Sequence, residues 1–175
     1  YLPLYVFCQG RLLVSLLRPA NIDAAKHAWA VLSLLVKRLR QSWPKVKIIL
    51  RADSGFCRCR MLRWCEQKNV RYIVGIGSNE RLEESAADII ERSRKLRKQT
   101  KSKVRLFGEV RYSALSWQGC ERRVIVKAEQ LDQGENIRYV VTNLENPDCQ
   151  QLYDDIYVRR GDMENRIKEQ QLDLF

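Results

Sequence analysis

Ile48-Ile49-Leu50-Arg51-Ala52-Asp53-Ser54-Gly55-Phe56 is the stretch whose reading decides the fold. Three apolar residues in a row fit a short strand covered on both faces, and Gly55 turns the chain immediately afterwards. Asp53 therefore falls where the strand stops, at the carboxyl edge where open α/β sheets place their ligands. A carboxylate there can be a helix cap, a metal ligand or a base. The choice depends on a second acid with a matching setting elsewhere in the chain.

Working upstream, the strand over 46–51 follows Trp43-Pro44 and a helix expected over Ala24–Gln41, capped by Asn21 or Asp23. Ala28, Val31, Leu32, Leu35, Val36 and Leu39 recur at helical spacing as its buried stripe, and Lys37, Arg38 and Arg40 suit the dipole of its last turns. A helix followed by a strand is the crossover that parallel strands require. Before it, Tyr1–Phe7 and Arg11–Leu17 flank the turn Gln9-Gly10, so 4–17 is expected to be a hairpin. The chain opens already inside a sheet, and a segment ahead of it is expected. Downstream come a helix over 57–68 with Leu62 and Cys65 inward, then a strand over 71–76 stopped by Gly77-Ser78-Asn79. The order β-β-α-β-α-β predicts an α/β domain.

From Glu80 the composition changes. Glu80–Arg97 is helical and mostly charged, and Arg92, Arg94, Lys95, Arg97, Lys98, Lys101, Lys103 and Arg105 place eight cations in fourteen residues without an acid. Period-2 stretches follow at 104–112, 122–128 and 137–142, which read as an antiparallel meander. Three regions are therefore expected: the first part of the core over 1–79, a basic helix with a β-rich insertion over 80–145, and a C-terminal helix over 146–175 that completes the core. That last segment reads as helical over 149–157 and again from Asp162 to Leu172.

A net charge of +11 over 175 residues points to a polyanionic partner, nucleic acid before membrane. Cys57-x-Cys59 and Cys65 lack the second Cys/His pair that zinc sites need, and the single histidine, His27, lies far upstream. The six cysteines read as free thiols of a reducing cytosol. No apolar run is long enough to span a membrane.

The second informative acid is Glu164. Tyr157, Arg160, Glu164, Lys168 and Gln171 are spaced 3, 4, 4 and 3, so a continuous helix puts them on one stripe. Such a stripe can hold a metal on the carboxylate and phosphates on the cations. From spacing alone an exposed i,i+4 ladder is the simpler reading. The basic run 92–105 could track a nucleic-acid backbone, against the alternative of a solvated loop. Trp117 reads as hairpin packing rather than a base-stacking platform.

Taken together, Arg51-Ala52-Asp53-Ser54-Gly55-Phe56 and, about 110 residues on, Tyr157-x-x-Arg160-Gly161-x-x-Glu164-x-x-Ile167-Lys168-Glu169 resemble the DDE-type transposases of bacterial insertion sequences. The narrower likeness is to the branch with a Tyr-Arg-Glu-Lys signature and a β-rich insertion between the second and third acids. Tyr1-Leu2-Pro3-Leu4 and Leu17-Arg18-Pro19-Ala20-Asn21 look like the same branch. The resemblance implies a ribonuclease-H-like α/β core with a mixed sheet, in which three acids hold two Mg²⁺ or Mn²⁺ ions. Asp53 matches the second acid and Glu164 the third, as catalytic residues and metal ligands. Tyr157 and Arg160 match signature residues that contact DNA, while the signature Lys is Gln171, with Lys168 keeping a cation one turn earlier.

The first acid belongs on a strand upstream of the hairpin, so the chain is expected to be an N-terminally truncated fragment, inactive by itself. Its partners would be terminal inverted repeats and target DNA, with a homodimer on DNA, no membrane, and a location in the bacterial cytoplasm at the nucleoid. Arg92, Arg94, Lys95, Arg97, Lys98, Lys101 and Lys103 join the expected DNA contacts. Two other readings stay open: a non-catalytic DNA-binding or assembly module, and a metal-dependent nuclease of the same fold.

Overall fold

A computed structural model describes residues 1–161. The chain builds a hairpin, β1 (Leu2–Cys8) and β2 (Arg11–Arg18), and a five-stranded mixed sheet. The sheet comprises β3 (Ile49–Ala52), β4 (Arg71–Ile76), β5 (Val104–Tyr112), β6 (Arg122–Leu131) and β7 (Gly134–Thr142), in the order β3-β4-β7-β6-β5. Only β3 and β4 are parallel; β4–β7, β7–β6 and β6–β5 are antiparallel. This mixed α/β architecture is compatible with the ribonuclease-H-like core that the resemblance implies.

Gln9 and Gly10 both have positive φ, the geometry of a two-residue hairpin turn whose twist matches the strands. The hairpin stands as its own two-stranded sheet. Helix α1 (Ala28–Ser42) is shorter than expected and is not capped by Asn21 or Asp23. Asp23 instead accepts from the Ala25 amide and pairs with Arg58, so its carboxylate is used up one turn early. His27 sits at the helix start with φ 69° rather than inside the helix. Ala28, Leu32 and Val36 are buried as the stripe requires.

Strand β3 differs from the sequence reading. It is an edge strand, half-buried, with Ile49 45% exposed, because the hairpin does not pair beside it among the described residues. Ile48, Leu50 and Ala52 pack on one core, while Ile49 is left exposed and Arg51 reaches the C-terminal segment, so apolar residues cover this strand on one face and not on both. Helix α2 (Cys59–Gln67) carries the crossover to β4 and buries Leu62 and Cys65 completely. The charged helix is broken at Ala86 into α3 (Glu80–Ser85), capped by the Asn79 side chain, and α4 (Ala87–Thr100). Strands β5 to β7, expected as a meander, continue the β3–β4 sheet through the β4–β7 pairing.

Two cores lie on opposite faces of the sheet. One is formed with α1 to α4, around Leu62, Tyr72, Val74, Leu82 and Val126. The other holds Ile73, Ile125 and Val140 under the C-terminal segment, through Leu152 and Tyr153. Strand alternation sorts these residues, since neighbours along a strand face opposite sides. No helix among the described residues is long and apolar enough to cross a membrane.

Candidate functional site

Asp53 stands at the carboxyl end of β3, next to the paired end of β4. The chain leaves the strand in one 3₁₀ turn, Ser54–Phe56. Asp53 Oδ1 accepts the Gly55 amide at 2.9 Å and so caps that turn. A Cβ on Gly55 would lie 3.0 Å from this oxygen, a tight contact that glycine avoids. The carboxylate remains half exposed, and Oδ2 lies 3.9 Å from Arg160 Nη1. The cap and the ligand readings of Asp53 are therefore compatible: one oxygen holds the turn and the other faces the cation.

Arg160 and Tyr157 reach Asp53 from the C-terminal segment. It begins as α5 (Cys149–Gln151), capped by Asp148, widens into a π-helical stretch over Leu152–Tyr157, and tightens into a 3₁₀ turn over Val158–Gly161. In a 3₁₀ turn residues three apart eclipse one another, and the Arg160 guanidinium accordingly lies 5.5 Å from the centre of the Tyr157 ring. Tyr157 also packs on Tyr153, and Tyr153 on Phe107. The Arg51 guanidinium donates to the Ile156 carbonyl at 3.2 Å and ties β3 to the segment.

Gly75 completes the site. A Cβ added there would lie 2.7 Å from the Tyr157 hydroxyl and 3.0 Å from the Ser54 nitrogen. The phenol therefore occupies the space that any other residue of β4 would fill, directly behind the Asp53 turn. Burial pushes the Tyr157 phenol pKa up; Arg160 and Arg138 act against this, and Asp53 with it. Sequence reasoning did not assign Gly75, Arg51 or Arg138 to the site. For Gly75 a signal existed, since an isolated glycine inside a strand marks a close approach of another chain segment.

The basic run lies on α4 and β5, at the opposite edge of the sheet from β3. Four strand spacings separate those edges, about 19 Å. Most of its cations are paired locally. Arg94 grips Glu135 with two bonds, Lys95 pairs with Glu91, and Arg97 and Lys103 share Asp132. Arg105 holds Asp154. Arg92, Lys98 and Lys101 have no ion pair among the described residues. The acids that pair with the run come from the β6–β7 turn and the start of β7, from the C-terminal segment and from one turn earlier on α4, so the sequence window 92–105 could not show them.

Trp117 is packing, as expected: it is 2% exposed and meets Tyr112 edge-on under the Arg122 guanidinium. All six cysteines are free, and burial pushes the Cys57 thiol to about 11 and the Cys65 thiol to about 12, which keeps both protonated.

Glu164 and Lys168, like Gln171, lie outside the described residues. No group of three or more His, Cys, Asp or Glu among the described residues could hold a metal ion. The donor present at the site, a half-exposed carboxylate, suits a hard cation. Mg²⁺ takes one or two carboxylates and keeps several waters. A family model described as transposase DDE domain group 1 matches residues 1–175. No curated protein matches the chain.

Proposed function

The chain belongs to the transposase DDE domain group 1 family, and on that premise we propose that it supplies catalytic-domain residues for metal-dependent cleavage and transfer of DNA strands at the ends of a bacterial insertion sequence. The meeting of Tyr157 and Arg160 with Asp53 across Gly75 supports this reading most directly. Residues far apart in sequence converge on one strand-end acid, and they are the residues the Tyr-Arg-Glu-Lys signature singles out.

Asp53 and Glu164 would hold Mg²⁺ or Mn²⁺. When bound, such ions generate the nucleophile from water or a 3′-hydroxyl and stabilise the leaving oxygen. The protein's own groups do the positioning. Arg160 presents a planar guanidinium suited to a phosphate, beside the acid rather than over it. Tyr157 holds the turn that carries Asp53. Residues 80–145 would form the insertion between the second and third acids, sharing the core sheet. Terminal inverted repeats and target DNA would be the partners, with two copies acting together on DNA in the bacterial cytoplasm.

The test is cleavage of duplex DNA that carries the terminal repeats, with Mg²⁺, in the polypeptide holding all three acids. Asp53→Asn and Glu164→Gln should each lower cleavage about a thousandfold or more, losing a charge stabilisation of several kcal/mol, with DNA binding retained. Full cleavage by either variant would overturn the proposal. Equal cleavage of unrelated DNA would point to a general nuclease of the same fold.

A further inference from the structure

A cleft of about 630 Å³ opens at the end of the sheet opposite Asp53, where the chain enters β3 and β4. Lys47 and Asp53 are six residues apart along this nearly extended stretch, about 20 Å. The lining includes Arg40, Lys45, Lys47 and Arg71 and no carboxylate. Unlike the run on α4, this charge is largely uncompensated. Arg40 donates to the Lys68 and Asn69 carbonyls at 2.6 and 3.1 Å, neutral oxygens that fix the guanidinium without cancelling its charge. Lys45 and Lys47 are exposed and have no ion pair among the described residues. Arg71 does pair, with Glu145, but that carboxylate is 82% exposed, and such pairs are weak enough to be exchanged.

The carboxyl end of α1 points here, yet a helix dipole supplies only about half a negative charge against four cations. Gathering like charges in one concavity costs self-repulsion that a bound polyanion would relieve. We infer that this cleft is a second DNA-contacting surface, which binds the phosphodiester backbone of duplex DNA at the end of the domain away from Asp53. The inference rests on the transposase reading for the choice of DNA. The concave shape also favours it, since a backbone ridge can enter a cleft and a flat bilayer cannot. Trp43, 61% exposed at the end of α1, stands beside the lining residue Pro44 and offers an apolar contact for the sugar edge.

The experiment is fluorescence anisotropy of a labelled mixed-sequence duplex with the 175-residue chain, over a range of salt. Each phosphate contact contributes about 0.9 to the slope of log affinity against log salt. Lys45→Gln with Lys47→Gln should therefore reduce the slope by about 2 and weaken binding about tenfold or more at low salt. Arg11→Gln with Lys26→Gln removes the same charge from the start of β2 and the loop before α1, and should leave the slope nearly unchanged. Thermal melting of both variants, read by circular dichroism, should match the parent. DNA binding with equal losses in the two double variants would overturn the cleft while leaving the transposase reading intact. No binding to any duplex would sink both. Cleft-dependent binding to phosphatidylserine vesicles instead of DNA would assign the surface to a membrane and overturn the inference.

Discussion

Gly75 is the residue on which the candidate site turns. Its missing Cβ admits the Tyr157 hydroxyl behind the Asp53–Ser54 turn, so one atom's absence on β4 sets where the C-terminal segment can dock. Gly75→Ala should cost about 1–3 kcal/mol through overpacking, measured by urea denaturation. Tyr157→Phe removes the atom that the new methyl would strike first, so the double variant Gly75→Ala/Tyr157→Phe should recover part of the loss. Strict additivity of the two single changes would show that the phenol and Gly75 do not share that space. Asp53 itself was legible as a strand-end acid, but that its Oδ1 is occupied by the Gly55 amide depends on the turn that follows.

At the scale of elements, helix and strand types were largely readable from periodicity, and their ends were not. Strands β4 and β5 fall where they were expected, at 71–76 and 104–112, whereas α1 starts four residues late because Asp23 spends its carboxylate on Ala25 and Arg58. The widening and tightening of the C-terminal segment could not be read from a 3.6-residue period, although the spacing of Tyr157 and Arg160 already placed them on one face. A part-buried junction joins α2, β4 and β6: Glu66 accepts two bonds from Arg122, at 2.7 and 2.9 Å, and one from Tyr72 at 2.8 Å. Burial raises the Glu66 carboxyl pKa, but the hydrogen bonds from Arg122 and Tyr72 outweigh it and hold the group below its ordinary value. A depressed folded-state pKa contributes stability above the unfolded value, about 4.3, and loses it as pH falls further through the folded value. Stability should therefore drop below about pH 4.3 in the parent and drop less steeply in Glu66→Gln, followed by thermal melting across pH. An unchanged pH slope in the variant would remove Glu66 as a source of acid sensitivity.

On the scale of the whole molecule, the strands of the main sheet are bound on both faces, while the β1–β2 hairpin forms a separate sheet with Leu12, Leu13 and Leu17 exposed. Hydrogen exchange followed by mass spectrometry should show β4, β6 and β7 protected longest and the hairpin opening first, since local stability follows buried contact. Slowest exchange in the hairpin would contradict this division. Charge is redistributed at the same scale. The run on α4 and β5 is mostly paired with acids brought from elsewhere in the fold, whereas Lys45, Lys47 and Arg40, at the other end of the sheet, have no acid paired with them among the described residues.

The amino-acid order by itself determined the α/β class, the strand that ends on Asp53, the helical segment bearing Tyr157 and Arg160, and the family they imply, because period, turn chemistry and motif spacing are local properties. Tertiary structure alone decided that β3 is an edge, that Tyr157 is the residue that approaches Gly75, and which cations have an acid beside them. Each of these depends on atoms that meet across many residues of chain, and pairing across such distances leaves no mark in a local window of sequence.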